Sequence, residues 1–307
     1  MHATMVSHPG ITRLTLVPRS EWAKHRSKST RNLWHLFWYW LVTGKWSYLP
    51  LLLSRTGYLL AREKYSAFAI DRVYENRARG LGRIGRRMDR YLLDLPVHVA
   101  VRERFDFVVH AATEAICELL ARDGGMVSVL SVPCGLVRDL CRIYGLVASR
   151  ETAHVRETGR RLHFYGVDLD FEGQVLVEAG RRASRCGLPV QLVQANVMDG
   201  SLWSWVGKNR LEFSLVICIG LSPWLTAGEL RMLIRRFADH LAHGGYVILD
   251  RFNRGRHSEM GAHAEIHANY HSDEDYRNHL RSSSMQLLRT VTLGDNEGTG
   301  YLLQKLS

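Results

Sequence analysis

Five short apolar runs, each followed by a segment with helical spacing, limit what this chain can fold into. The runs cover residues 127–132, 162–167, 190–194, 213–219 and 246–249. Apolar strands that alternate with helices predict a mostly parallel sheet covered by helices on both faces. Two further strand candidates, 287–291 and 300–306, lie close together and suit a hairpin. The sequence therefore predicts an α/β protein with a seven-stranded sheet.

The first of these runs leads into a turn that suits ligand binding. Residues 126–140 read MVSVLSVPCGLVRDL, which predicts a buried strand, a tight turn at 133–135 and the start of a helix. Such a turn places backbone N–H groups and a helix N-terminus beside a pocket. We therefore expect this turn to hold a ligand.

The chain divides into three parts by composition. Residues 1–32 form a basic arm interrupted by proline and glycine, and we expect its first part to be disordered. Residues 33–104 are rich in aromatic side chains with helical spacing, and they predict a helical cap. Residues 105–307 contain the strands and predict the ligand-binding domain, which opens with a helix over 105–123.

The cap begins with a strongly aromatic segment. Residues 33–42 read LWHLFWYWLV, and a second apolar run follows at 46–53. A membrane span needs about 20 consecutive apolar residues, whereas Lys45, a glycine and a proline interrupt this segment. We expect two short helices that lie over a hydrophobic pocket. Peripheral contact between residues 33–53 and a membrane surface is the alternative.

Residues 80–85 (GLGRIG) match the G-x-G-x-x-G pattern of dinucleotide-binding loops. No predicted strand precedes them, so we do not interpret the segment as a nucleotide site. The surrounding arginines favour a solvated face or contact with an acidic substrate over nucleic-acid binding, because aromatic residues are not interleaved with them. These arginines are Arg77, Arg79, Arg83, Arg86, Arg87 and Arg90.

The net charge and the cysteine content limit the binding partners, disulfides and metal sites that the sequence predicts. The formal net charge of +11 favours polyanions or acidic membranes, but basic chains often bind neither, and we expect no nucleic-acid partner. The five cysteines include no C-x-x-C pair, so we expect neither a disulfide framework nor a zinc site. Residues 1–32 do not read as a signal peptide. We expect a cytoplasmic protein, with peripheral membrane attachment as the alternative.

Four segments, in order along the chain, carry short motifs at strand ends. Residues 129–137 (VLSVPCGLV) form a strand with a glycine-containing turn, and 165–170 (YGVDLD) form a second strand that ends in an acid. Residues 192–199 (LVQANVMD) form a third strand with a polar end, and 241–249 (LAHGGYVIL) lead through a Gly-Gly turn into the fifth. In this order they resemble the class I S-adenosylmethionine-dependent methyltransferases, with an atypical first motif. The resemblance covers about residues 105–307 and implies a Rossmann-like catalytic domain that uses S-adenosylmethionine.

The resemblance implies cofactor contacts at the carboxyl ends of the strands. Gly135 lets the backbone approach the ligand, because a side chain there would occupy ligand space. Asp168 would accept hydrogen bonds from both ribose hydroxyls, with a helix N-cap as the alternative role. Asn196 stands where an Asp commonly contacts the adenine amine, and its amide oxygen can accept that bond. The full predicted set is Ser131, Pro133, Cys134, Gly135, Arg138, Asp168, Leu169, Asn196, Val197, Ile219 and Gly220.

The first motif departs from the family pattern at three positions. Ser131 stands in place of an acid that would hold the amino group of the cofactor. Pro133 stands in place of the first glycine and removes one backbone donor, and Val137 replaces a small residue. Arg138 and Asp139 open the following helix, and Arg138 could reach the cofactor carboxylate. The part of the site that would bind the amino-acid end of the cofactor is therefore altered.

The remaining site residues concern the acceptor and the base. Residues 220–225 (GLSPWL) lack an Asn/Asp-Pro-Pro-Tyr motif, which argues against methylation of planar amides or adenine-type amines. His257 and His263 are candidates for a general base. Helical spacing of His263, His267 and His271 could suit a metal, but exposed histidines are more often solvated, and we expect no metal. The acceptor would be a small, partly apolar metabolite or a lipid-like molecule, contacted by Trp38, Tyr74, Ser222, Trp224 and Arg251.

Two other functions stay open at this point. The same fold can break other carbon–sulfur bonds of S-adenosylmethionine, giving aminocarboxypropyl transfer or cyclisation with release of methylthioadenosine. The altered loop at Ser131 and Pro133 is the reason to consider that chemistry. An RNA-binding methyltransferase, or a non-catalytic RNA-binding relative, would instead show steeply salt-dependent RNA binding. The sequence indicates no oligomeric state.

Overall fold

Several helices lie between the first and the second strand of the sheet along the chain. The structure, a computed structural model, describes residues 11–13, 37, 41–42, 44, 46–63, 66–123, 125–150, 161–170, 173–253, 268–281 and 283–306. A 3-10 segment at Trp46–Leu53 is followed by α1 (Arg55–Glu63), α2 (Ala67–Glu75), α3 (Gly82–Leu93) and α4 (Pro96–Asp123). The helix predicted over 105–123 therefore begins earlier, at Pro96. Proline suits the first position of a helix, where its missing N–H would have no partner inside the helix.

The sheet has eight strands in the described part of the chain. They are β1 (Ile11–Arg13), β2 (Val127–Ser131), β3 (Leu162–Asp168), β4 (Val190–Gln194), β5 (Phe213–Cys218), β6 (Leu241–Phe252), β7 (Met285–Leu293) and β8 (Gly298–Lys305). Their order across the sheet is β1-β4-β3-β2-β5-β6-β8-β7. All pairs from β1 to β6 are parallel, and β8 pairs antiparallel with both β6 and β7.

Helices cover both faces of this sheet. They are α5 (Arg138–Arg150), α6 (Gln174–Cys186), α7 (Gly200–Lys208), α8 (Ala227–Asp239) and α9 (Asp273–Arg281). Adjacent residues of a strand face opposite sides. Val129 accordingly packs in one core with α4, α5 and α6, and Leu130 packs in a second core with α7, α8 and α9. The predicted three-layer α/β arrangement is confirmed.

The seven predicted strands are all present, with two differences. An eighth strand, β1, comes from the arm that was expected to be disordered, and Ile11–Arg13 pairs with residues 192–194 of β4. Strand β6 is longer than the predicted 246–249, because Asp250, Arg251 and Phe252 continue the antiparallel ladder with β8. Both differences arise from pairing with a distant strand, which local periodicity does not report.

The GLGRIG segment is a close backbone crossing and not a ligand loop. Helix α2, not a strand, precedes it, and Gly82 opens α3. A Cβ on Gly85 would lie 2.2 Å from the carbonyl oxygen of Leu53, and one on Gly80 would lie 2.2 Å from backbone atoms of Gly85. Only glycine fits both positions, because real Cβ atoms do not approach backbone this closely.

Gly85→Ala should lower the free energy of unfolding by about 2 kcal/mol or more, because the added methyl group must push the Leu53 and Gly85 backbones apart. Urea denaturation measures this change. Gly145→Ala in α5 is the matched control: a Cβ there meets nothing within 4 Å, so it should be neutral or stabilise the helix by up to about 1 kcal/mol. Equal stability of the two variants would contradict the close crossing.

The cysteines differ from expectation. Cys141 in α5 and Cys186 in α6 form a disulfide, with Cα atoms 6.2 Å apart. The expectation that the cysteines form no disulfide was wrong, because the two helices lie side by side although 45 residues separate the cysteines. Within the described ranges, no helix combines the length and apolar character needed to cross a membrane. Within the same ranges, no group of three or more potential metal ligands comes together.

Candidate functional site

Two adjoining cavities lie at the carboxyl ends of the parallel strands. The larger has a volume of about 180 Å³ and extends from the loop after β2 to α2 and α4. The smaller, of about 40 Å³, lies over the ends of β3 and β4. Ligands of open α/β sheets bind in this position.

The loop after β2 forms one wall of the larger cavity. The N–H of Cys134 donates to the carbonyl of Val167 at 2.8 Å, which ties the loop to β3. Gly135 has φ +48°, and a Cβ there would lie 3.7 Å from the Cβ of Ala67 in α2. The loop therefore passes close beneath α2 at a position that glycine adopts without strain. Burial, followed by the nearby Asp168, raises the pKa of the Cys134 thiol well above its usual value.

Asp168 connects the two cavities. Its carboxylate accepts from the N–H of Gly135 at 3.0 Å and from the N–H of Asp170 at 3.1 Å. The residue lines both cavities. Asp170 itself accepts from the N–H of Leu176 at 2.8 Å, in the first turn of α6. Asp170 thus has the helix-capping contact that was the alternative role for Asp168, and Asp168 faces the ligand space.

The smaller cavity has a largely apolar lining. Leu169, Asn196 and Val197 line it, together with Trp224. The Asn196 side-chain oxygen accepts from the N–H of Met198 at 2.9 Å and keeps a second lone pair. The Trp203 indole N–H donates to the carbonyl of Val197 at 2.8 Å and holds this segment in place.

Arg104, on the wall of the larger cavity, belongs to a buried ion pair. Arg104 in α4 donates to Asp250 Oδ2 at 2.8 Å through Nη1 and to Tyr74 Oη at 3.1 Å through Nη2. Asp250 Oδ1 also accepts from the N–H of Gly220 at 2.8 Å. Burial raises the pKa of Tyr74. Burial acts to lower the pKa of Arg104, but Tyr74 and Asp250 outweigh it and raise that pKa.

A second cluster of charged side chains links α2 to α5 and α6. The Asp71 carboxylate in α2 accepts from Arg138 at 2.7 and 3.1 Å and from Arg182 of α6 at 2.6 and 2.9 Å. Burial acts to raise the pKa of Asp71, but these bonds lower it below its usual value. Arg138 also lies 3.8 Å from a carboxylate oxygen of Glu75, and Asp71 and Arg138 line the larger cavity.

Asp139 is the third carboxylate residue that lines the larger cavity, beside Asp71 and Asp168. It lies in the first turn of α5 and lines the larger cavity. Burial raises the pKa of Asp139 to about 6. The rest of the lining is largely apolar and comprises Ala67, Ile70, Val97, Val101, Leu136, Pro223, Phe252, Ala268 and Tyr270, with Trp224 shared by both cavities.

Most of the predicted site residues meet at these cavities. Pro133, Cys134, Gly135, Arg138, Asp168, Ile219, Gly220, Tyr74 and Trp224 line the larger one. Leu169, Asn196 and Val197 line the smaller one. The Arg138 guanidinium is bound to Asp71, and the Gly220 N–H to Asp250. Trp38, His257 and His263 lie outside the described residues.

Three predicted residues lie apart from both cavities. Ser131 is buried, and no described group hydrogen-bonds to its hydroxyl. The Ser222 hydroxyl donates to the carbonyl of Asp250 at 2.8 Å. Arg251 donates to Tyr301 Oη at 2.6 Å and to Asp273 at 3.2 Å. These contacts give Ser222 and Arg251 roles in holding β6 to its neighbours.

Sequence reasoning did not assign Asp71, Arg104, Asp139 or Asp250 to the site. The one local signal was the spacing of Asp71 and Tyr74, which puts both on one face of α2. Arg104 and Asp250 are 146 residues apart in the chain, so no spacing pattern could pair them.

Comparisons with known proteins agree on this class of fold. A family model described as "Putative methyltransferase" matches residues 51–161. A comparison with curated proteins gives no match. The chain is similar to the solved structure of a possible exported protein from Bordetella parapertussis, with 17% identity, a TM-score of 0.63 and 85% and 87% of the two chains covered.

Two further solved structures are similar over most of the chain. An O-methyltransferase family protein from Burkholderia thailandensis has 13% identity and a TM-score of 0.50, with 85% of this chain and 72% of that chain covered. Magnesium protoporphyrin IX methyltransferase from Synechocystis PCC 6803, solved with bound SAH, has 15% identity and a TM-score of 0.48, with 80% and 98% covered. At 13% identity, the first of these two likenesses shows the fold alone.

Proposed function

We propose that this chain is a class I S-adenosylmethionine-dependent methyltransferase that methylates a small, partly apolar acceptor held in the larger cavity. The family match over residues 51–161 and the fold support this proposal. The observation that carries the proposal is the continuity of this cavity. It runs from the cofactor loop at Gly135 and Asp168 to apolar side chains of α2 and α4, such as Ile70 and Val101. Cofactor and acceptor can therefore meet in one space that α2 and α4 help to line.

The residues present fit the cofactor. Asp168 lies at a strand end beside the smaller cavity. A carboxylate in this position can accept hydrogen bonds from both hydroxyl groups of a ribose. The slot lined by Leu169, Asn196 and Val197 suits the adenine ring. Arg138, which Asp71 holds on the wall of the larger cavity, suits the carboxylate of the amino-acid tail.

S-adenosylmethionine, when bound, supplies an electrophilic methyl group for an in-line displacement. The contribution of the protein is to bind and align the two partners, which can account for a large part of such an acceleration. Ile70, Val101 and Phe252 would pack against the apolar body of the acceptor. Tyr74 and Arg104, with Asp250 behind them, would face its polar end.

The first test is calorimetry of the full chain with S-adenosylmethionine and with S-adenosylhomocysteine. Binding of neither would contradict the proposed function. Turnover is then measured with methyl-labelled cofactor and a panel of small acids, phenols and amines with alkyl or aromatic bodies. We expect S-adenosylhomocysteine as the coproduct. Release of methylthioadenosine would show the other carbon–sulfur chemistry, and salt-dependent RNA binding without turnover would favour the RNA-binding alternative.

Ile70→Trp should fill the apolar end of the larger cavity and lower kcat/KM for an accepted substrate roughly tenfold or more, because the acceptor loses its packing space. The Kd for S-adenosylhomocysteine should stay within about twofold, because Ile70 lies away from the adenosine slot. Ile84→Trp is the matched control, since Ile84 is exposed on α3. Equal kinetics of the two variants would place the acceptor elsewhere.

A further inference from the structure

Asp139 is a buried carboxylate whose hydrogen bonds come from the backbone N–H groups of Leu140 and of Asp139 itself. It is only 9% exposed and lines the larger cavity. Among the described residues, no side chain forms a hydrogen bond or an ion pair with it. Burial of a carboxylate without a cation is costly unless the group is paired. A cationic group of a ligand in this cavity would remove that cost.

The nearby cations of the chain are bound to other groups. Arg104 bonds to Asp250 and Tyr74, and Arg138 is bidentate on Asp71. The other titratable neighbours are Cys134 and Tyr74, and burial raises the pKa of both groups. The charge of Arg104 acts on Asp139, but no cationic side chain of the described chain forms an ion pair with it.

The atypical first motif lacks an acid at the position where the family has one. Ser131 occupies that position, is 1% exposed and lines neither cavity. Asp139 lies eight positions further along and shares the cavity wall with Gly135 and Leu136. A ligand tail that crosses the loop at Gly135 therefore passes Asp139 and not Ser131.

We propose that Asp139 holds the α-ammonium group of the S-adenosylmethionine tail, in place of the acid that position 131 lacks; the inference rests on the proposed function. The two charges of the tail then meet complementary groups on one wall. The ammonium group binds Asp139, and the carboxylate lies toward the Arg138 guanidinium on the cavity wall. Asp139 is a cofactor-binding residue in this arrangement and takes no proton from the acceptor.

The test compares two ligands on wild type and Asp139→Asn by calorimetry near pH 7.5. S-adenosylhomocysteine has the amino-acid tail, and methylthioadenosine has the same adenosine and sulfur without the tail. The variant should bind S-adenosylhomocysteine roughly 10- to 100-fold more weakly, the range expected for loss of one hydrogen bond between charged groups. Its affinity for methylthioadenosine should stay within about twofold of wild type.

Asp239→Asn is the matched control, because Asp239 is exposed at the end of α8, and it should leave both affinities unchanged. Thermal melts establish that each variant is folded, and Asp139→Ser carries the same comparison if the amide variant is not. Equal weakening of both ligands would overturn the inference in favour of a structural role. Unchanged affinity with lost turnover would overturn it in favour of a role toward the acceptor. Wild type that binds neither ligand would instead contradict the proposed function.

Discussion

Arg104→Met should lower the free energy of unfolding by about 3–5 kcal/mol, the range for breaking a buried ion pair by removing one partner. The side chains of Arg104 and Asp250 are 5% and 1% exposed, so the variant leaves a carboxylate buried without its cation. The remaining contact of Asp250 Oδ1, from the N–H of Gly220, does not replace a positive charge. Guanidinium denaturation followed by circular dichroism measures the loss.

Two control variants separate the contribution of the charges in this ion pair from that of side-chain packing. The double variant Arg104→Met/Asp250→Asn removes both charges and should recover a large part of the lost stability. Arg289→Met breaks an exposed pair with Glu114, whose side chains are 48% and 50% exposed, and should cost less than about 1 kcal/mol. A double variant as unstable as the single one would show that packing of the guanidinium, and not its charge, is what stabilises the fold.

Asp168→Ala should weaken the binding of S-adenosylhomocysteine about 100-fold or more, because two hydrogen bonds from the ribose to a charged acceptor are lost. The Kd of the full chain is measured by calorimetry. The variant also removes the acceptor for the N–H of Gly135 at 3.0 Å, so part of the effect comes from a less ordered loop. Both causes act in the same direction.

Asp239→Ala is the control for this second result. Asp239 is exposed, and the adjacent start of β6 lies at the edge of the sheet opposite to the carboxyl ends. Its affinity for S-adenosylhomocysteine should equal that of wild type. An unchanged Kd for Asp168→Ala would place the ribose elsewhere and would contradict the role predicted from the resemblance.

The sequence predicted those parts of the site that strand ends determine. Gly135, Asp168 and Asn196 each follow a strand, and parallel strands bring their carboxyl ends to one edge of the sheet. Knowing the strands and their direction was therefore enough to bring these residues together. The direction of the helix after the loop also placed Arg138 on the cavity wall.

The missed residues depend on contacts that span the chain. Asp71 meets Arg182 across 111 residues, and Arg104 meets Asp250 across 146. Such pairs form only after the cap has packed on the sheet, and no periodicity along the sequence encodes that packing. Asp139 was visible in the motif, but its burial and its place on the cavity wall follow from the folded structure.

The short strand β1 has a consequence for association between molecules. It pairs with Leu192, Val193 and Gln194 of β4, the outermost long strand on that side of the sheet. An open strand edge offers unpaired N–H and carbonyl groups to any other extended chain. Ile11–Arg13 cover part of this edge of β4, and their pairing leaves fewer backbone groups there for sheet extension by another chain.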